Sequence, residues 1–296
     1  LRGDVVWRDW RDFYASRLTT ETGTSVDQFG NRGDVRVTVN TNDMSREYRA
    51  LILSGQWNPS RFRIGGNYTL SELEGNDNSE GLTTGTSPTT PNALWYPEYL
   101  DYSQRNPEGH LPEDARHRAR MWVGYDFALG PVGTLNVSLL QTYMTGRAYS
   151  AAAFIDATGR IAGTAFEGIP TNPGYTLSQI GTNHTYFFSK RGEFRTDAFN
   201  STDLALSYNL PIRRVSVFLQ AAMTNVLDND GVINPNTTVV TRRTGGAASG
   251  LQPFNPKTET PIEGVHWRKG ASFGQATDVN SYQLPRSYNF SAGLRF

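Results

Sequence analysis

The stretch Leu284 to Phe296, LPRSYNFSAGLRF, decides how the rest of the chain is read. From Tyr288 onward Tyr288, Phe290, Ala292, Leu294 and Phe296 alternate with Asn289, Ser291, Gly293 and Arg295. A period of two puts the two sets on opposite faces of a strand. The same pattern recurs upstream. Leu51, Leu53 and Trp57 oppose Ala50, Ile52, Ser54 and Gln56, and Phe62 to Leu70 alternates without a break. Arg118 to Leu129, Thr134 to Tyr143, Leu204 to Leu210 and Val215 to Thr224 repeat it, with Pro211 and Ile212 read as the turn between the last two. Val5 to Thr19 is aromatic and β-branched enough for a first strand, with Val35, Val37 and Val39 extending a strand above it. The expectation is an all-β chain of about eight strands.

Composition narrows the class. Of 296 residues 37% are hydrophobic, mean hydropathy is −0.50, and no run approaches the roughly 20 apolar residues that a membrane helix needs. A helical membrane protein is thereby excluded. Strands of a membrane barrel escape that test, because only every second residue meets lipid. An aromatic content of 12% suits the aromatic girdles of such a barrel, and suits a β-sandwich as well. The 28 basic and 28 acidic residues cancel, so nothing points to nucleic acid. Without cysteine there are no disulfides, thiolate metal sites or cysteine nucleophiles. The chain opens on Leu1, close to a strand, and is expected to be a fragment of a longer precursor.

The connections separate barrel from sandwich. Polar, Gly- and Asn-rich segments at 20–44, 72–114, 145–200 and 225–282 alternate with tight turns at Asn58–Ser60, Gly130–Gly133 and Pro211–Ile212. Transmembrane barrels have short turns on one side and long loops on the other. A soluble domain has no reason to keep that parity, and loops above about 12–15 residues are uncommon in one. The expected fold is an antiparallel transmembrane β-barrel spanning 1–296, with long extracellular loops and the chain end on the periplasmic side. Positions expected to face the lumen include Gly65, Gly124, Ser138, Ala205, Ser207, Ser216, Ala222, Ser291 and Gly293, too small to fill a narrow barrel. Either the eight strands close on one another, or the rest of a wider barrel lies elsewhere.

The stretches Phe194 to Leu210 (FRTDAFNSTDLALSYNL) and Val215 to Asp228 (VSVFLQAAMTNVLD), followed by the aromatic terminal strand, resemble the closing strands of TonB-dependent outer-membrane receptors. Within that family the chain is most similar to the Oar-like receptors, which carry a carboxypeptidase-regulatory-like domain. Trp7 to Tyr14 (WRDWRDFY), Gly66 to Ser71 (GNYTLS) and Asp114 to Tyr125 (DARHRARMWVGY) add weaker echoes. The resemblance implies a barrel of about 22 strands with a plug, of which this chain is the C-terminal eight. It also implies uptake of an extracellular substrate through the bacterial outer membrane, a TonB complex engaged by the missing N-terminal part, and the barrel-assembly machinery as a partner in biogenesis. That machinery reads a C-terminal signature carried here by Tyr288, Phe290, Leu294 and Phe296. No TonB box or plug is present in this chain, so coupling is implied for the parent protein only.

Two groups are candidate ligand or partner contacts. Arg116, Arg118 and Arg120 share a strand face with Trp122. They form either a lumenal charge ladder paired with acidic neighbours, or a basic lining that draws an anionic substrate into the mouth. Tyr96, Tyr99 and Tyr102 in WYPEYLDY either pack their loop on itself or offer a stacking surface. His110, His117, His184 and His266 show no metal-like spacing, so no metal, cofactor or catalytic residue is expected. Asp228 to Gly231 departs from the EF-hand order and reads as a turn capping a strand. Two other functions stay open: a structural or surface-assembly barrel that holds protein partners, and a rim hydrolase with a compact polar cluster.

Overall fold

The structure, a computed structural model, describes residues 1–76, 93–95, 97, 101–155, 174–176 and 184–295. Eight strands form one antiparallel meander: β1 (Arg2–Trp10), β2 (Arg46–Trp57), β3 (Phe62–Gly75), β4 (His117–Ala128), β5 (Thr134–Met144), β6 (Phe199–Ile212), β7 (Val215–Thr224) and β8 (Ser287–Arg295). Each pairs with its neighbour in chain order, and the two-residue strand Gly109–His110 adds to the end of β3. The expected parity of connections is present. Segments 58–61, 129–133 and 213–214 are short, whereas 11–45, 76–116, 145–198 and 225–286 are long. In an antiparallel meander this puts every long connection at one end of the sheet.

Register converts the alternation into two chemically opposed faces. Across seven strands Trp57, Ile64, Val123, Leu139, Leu204, Met223 and Tyr288 lie side by side. One residue along, Arg63, Gly124, Ser138, Ala205, Ala222 and Asn289 form the matching row on the other face. Nothing among the described residues covers the apolar face: Val5 is 84%, Phe290 75% and Trp57 66% exposed. Aromatic residues stand at both ends of that face, Trp57, Phe62, Tyr125, Phe127 and Tyr208 towards the short turns and Trp7, Tyr68, Tyr143 and Tyr288 towards the long connections. Among the described residues β1 and β8 each pair on one side only, so the described sheet is open.

The hydrophobic core sits in the long connections instead. Tyr102, Ile155 and Tyr186 form one buried cluster with Phe188 and Phe254 packed on it; Ala151, Val239 and Trp267 form a second. Small sheets brace this layer, among them Ala152–Ile155 with His184–Phe187 and Val239–Thr241 with Trp267–Lys269. A short α-helical turn, Arg242–Gly245, follows Val239–Thr241. No helix here is long and apolar enough to cross a membrane, which says nothing about strands.

Two sequence expectations need correction. Val5 to Thr19 is not one strand: β1 stops at Trp10, Asp12 turns the backbone at φ 55°, and Phe13–Leu18 leaves the meander to pair with Val37–Thr41. Pro211 and Ile212 do not form the turn. They extend β6, and the reversal falls at Arg213 (φ 53°) and Arg214. Proline is tolerated because the pairing of β6 with β5 ends at Asn209, so its missing N–H breaks no ladder bond on that side.

Candidate functional site

On the polar face Arg120 and Trp122 line a hollow of about 590 Å³ with Asn67, Leu140, Asp203 and Thr224. Trp122 lies flat over Gly65, where an added Cβ would stand 2.5 Å from the indole Cζ2. Only glycine lets the ring approach so closely. Lower on the face Arg63 Nη2 reaches Asp126 Oδ1 at 2.9 Å, and Asn136 donates to the same oxygen at 2.7 Å. Arg120 is exposed and shows no ion pair among the described residues, so the hollow is lined by a guanidinium and an indole together. That combination suits planar, anionic or aromatic groups.

The expected arginine row does not act as a unit. Arg116 pairs with Glu72 at 2.8 Å and Arg118 donates to the Glu113 carbonyl at 2.9 Å, both above the hollow. Arg120 and Trp122 are the two brought together in it. Of the loop tyrosines, Tyr96 and Tyr99 lie outside the described residues. Tyr102 is buried, donates to the Thr185 carbonyl at 2.8 Å and packs 5.6 Å from Tyr186. It packs the loop layer rather than offering a stacking surface. Burial raises its phenol pKa, pushes Tyr186 up to about 12 and lowers Arg105. Tyr288, Phe290 and Leu294 lie on the apolar face opposite Met223, Ala221 and Val217, and Phe296 lies outside the described residues.

A second polar constellation crowns β3, which sequence spacing could not reveal. His110 pairs directly with Glu74, and Leu111 N donates to the Leu73 carbonyl at 3.1 Å. Residues 111–115 then bulge out before Ser71 N meets the Arg116 carbonyl and β4 resumes the ladder. Within the bulge buried Asp114 takes the place of a strand partner, its Oδ1 accepting from Leu73 N at 2.9 Å. Its Oδ2 lies 2.6 Å from Arg195 Nη2, tying the 145–198 connection to β3. His110 Nδ1 lies 3.5 Å from that Oδ2 and 3.6 Å from Glu74 Oε1. Cavities of about 670 and 450 Å³ flank the imidazole.

The other polar candidates are structural. His117 Nδ1 meets Tyr68 Oη at 2.7 Å on the apolar face, and His266 Nδ1 accepts from Ile262 N at 2.9 Å. No serine hydroxyl hydrogen-bonds a histidine among the described residues; near the rim Ser71 Oγ donates to the Ala115 carbonyl at 3.1 Å and Ser150 Oγ accepts from Gly192 N at 2.8 Å. Asn225 is buried in the turn above β7, donating to the Asn229 and Leu284 carbonyls at 2.8 and 3.1 Å. No protein-family model matches the chain, and no curated protein matches it either.

Proposed function

We propose that this chain is part of the wall of an outer-membrane β-barrel, the C-terminal portion of a TonB-dependent receptor of the Oar-like kind, and that it serves uptake of a substrate met by the long connections and the lumen. The observation that carries this reading is the apolar face shared by the strands of the meander, with nothing among the described residues packed on it. Uncovered apolar patches of that extent mark contact with a partner or with lipid. A row of alternating strands with aromatic residues at both ends is what a bilayer selects. The free edges of β1 and β8 call for further strands, because unpaired backbone groups are costly in lipid. The polar face is then lumenal, and Arg120 with Trp122 lies on the path of an anionic or aromatic substrate. In this reading the chain performs no bond chemistry.

A structural or surface-assembly role is favoured by one feature, the packed core of the long connections, which gives them a fixed shape suited to a protein partner. The deciding experiment is the intact mass of the mature polypeptide in the outer-membrane fraction, with energy-dependent uptake measured in the same cells. A species several times heavier than 32.9 kDa with uptake that stops on de-energisation is the expected result. A species near 32.9 kDa would remove the receptor reading, and a heavy species without uptake would leave the scaffold.

A further inference from the structure

We propose that Glu72, Glu74 and His110 form a binding site for a divalent transition-metal cation of the zinc class. Each offers one donor atom, and the three atoms lie within 4.8 Å of one another. Glu72 and Glu74 stand two apart on β3, hence on one face, and strand pairing sets His110 directly beside Glu74. The 3.6 Å between His110 Nδ1 and Glu74 Oε1 is too long for a hydrogen bond. It is close to the edge, about 3.4 Å, of a tetrahedron whose centre is bound at about 2.1 Å, as zinc binds imidazole and carboxylate.

A separate observation points the same way. His110 Nδ1 is closed off from solvent and takes no hydrogen bond, whereas Asp114 Oδ2, 3.5 Å away, is held by Arg195 Nη2 at 2.6 Å. A shielded ring nitrogen with no hydrogen bond, 3.6 Å from the Glu74 carboxylate, is an open donor for a cation. Arg116 is engaged by Glu72 at 2.8 Å, Arg195 by Asp114 and neighbouring Arg49 by Glu47 at 2.7 Å, so none of these three arginines pairs with Glu74 at contact distance. The imidazole ligand selects zinc, nickel or copper over calcium and magnesium, which prefer oxygen alone. The cavity of about 670 Å³ lined by Glu74, Glu108, His110 and Glu193 gives the ion a route from solvent and leaves a coordination position for water. A bound ion would fasten the 76–116 connection to the end of β3.

The test uses the full-length protein in detergent, stripped of metal and titrated with zinc chloride alone by calorimetry, then with cobalt(II) followed by visible absorption. One zinc per chain is expected, with tetrahedral cobalt bands and no competition from millimolar calcium. His110→Ala and Glu74→Gln should each weaken zinc by about tenfold or more, and His110→Ala should abolish the cobalt bands. Both side chains are substantially exposed, and circular dichroism establishes that the variants fold; should His110→Ala fail to fold, Glu74→Gln decides. No zinc uptake by the unaltered protein, or equal uptake by the folded variants, would overturn the proposal. Neither result bears on the membrane reading, which fails or stands on fractionation and mass.

Discussion

At Gly65 the absence of a side chain is a packing requirement, since the Trp122 ring occupies the place of its Cβ. Gly65→Ala should destabilise the fold by about 1–3 kcal/mol through overpacking and shift the tryptophan emission as the ring is displaced, both measurable in urea unfolding. Asp114 is the second residue on which much depends. Its Oδ1 satisfies Leu73 N inside the bulge, so Asp114→Ala leaves a buried donor unmet and should cost about 1–3 kcal/mol. The Arg195 pair adds less than its 2.6 Å separation suggests, because Arg195 is about a third exposed and water screens it. Asp114→Asn, which keeps an acceptor for Leu73 N, should recover most of the loss. Neither role is visible from sequence: Gly65 reads as one lumenal glycine among several, and Asp114 as the end of a long polar connection. What makes them matter is a ring from the neighbouring strand and a backbone N–H across the bulge, 41 residues away in sequence.

Strands and loops differ in how far sequence reveals them, for a physical reason. The meander rests on alternation, a local property, and on partners adjacent in the chain, so its strands and the parity of its connections are readable by eye. Where polar and apolar residues stop alternating, as between Trp10 and Phe13, the boundary is lost. The loop layer is held by contacts such as Tyr102 to the Thr185 carbonyl, whose partners are far apart in sequence, and none of its small sheets announces itself. The pairing of Glu74 with His110 is hidden for the same reason. The two faces of β5 give the sharpest test of the strand reading. Leu139→Arg should cost about 2–4 kcal/mol in refolding into liposomes, whereas Ser138→Arg, one residue earlier on the polar face, should cost far less. Equal costs would mean that lipid does not lie against the apolar face. The loop layer should respond to alkali. Tyr186 titrates in the fold at about 12 against an ordinary phenol near 10, so the folded layer holds its proton more tightly than the unfolded one. Its contribution to stability is complete below pH 10 and falls as pH rises from 10 to 12. Phenolate absorbance near 295 nm should therefore rise late and together with loss of near-ultraviolet circular dichroism.

At the scale of the whole molecule the question is what closes the sheet. Eight strands suffice for a small barrel only if side chains fill the interior. The polar face offers Gly124, Ser138, Ala205 and Ala222 in one register row, with Trp122 and Phe218 lying down over Gly65 and Gly293 instead of projecting inward. Such a surface fills little volume, so bending it into a narrow cylinder would leave a wide void or a water column. A wider ring of strands resolves both this and the unpaired edges of β1 and β8, since the same small residues then border a lumen that another domain or a substrate occupies. The isolated chain should accordingly fail to form a monomeric barrel in detergent. Sedimentation is expected to show self-association through the open edges, and electrophoresis no heat-modifiable monomer band. Cysteines placed at Asp4 in β1 and Ser291 in β8 should not cross-link within one chain. A compact, heat-modifiable monomer with an efficient intramolecular cross-link would show that β1 and β8 meet, and would reduce the protein to a self-contained eight-stranded barrel too narrow for the proposed uptake.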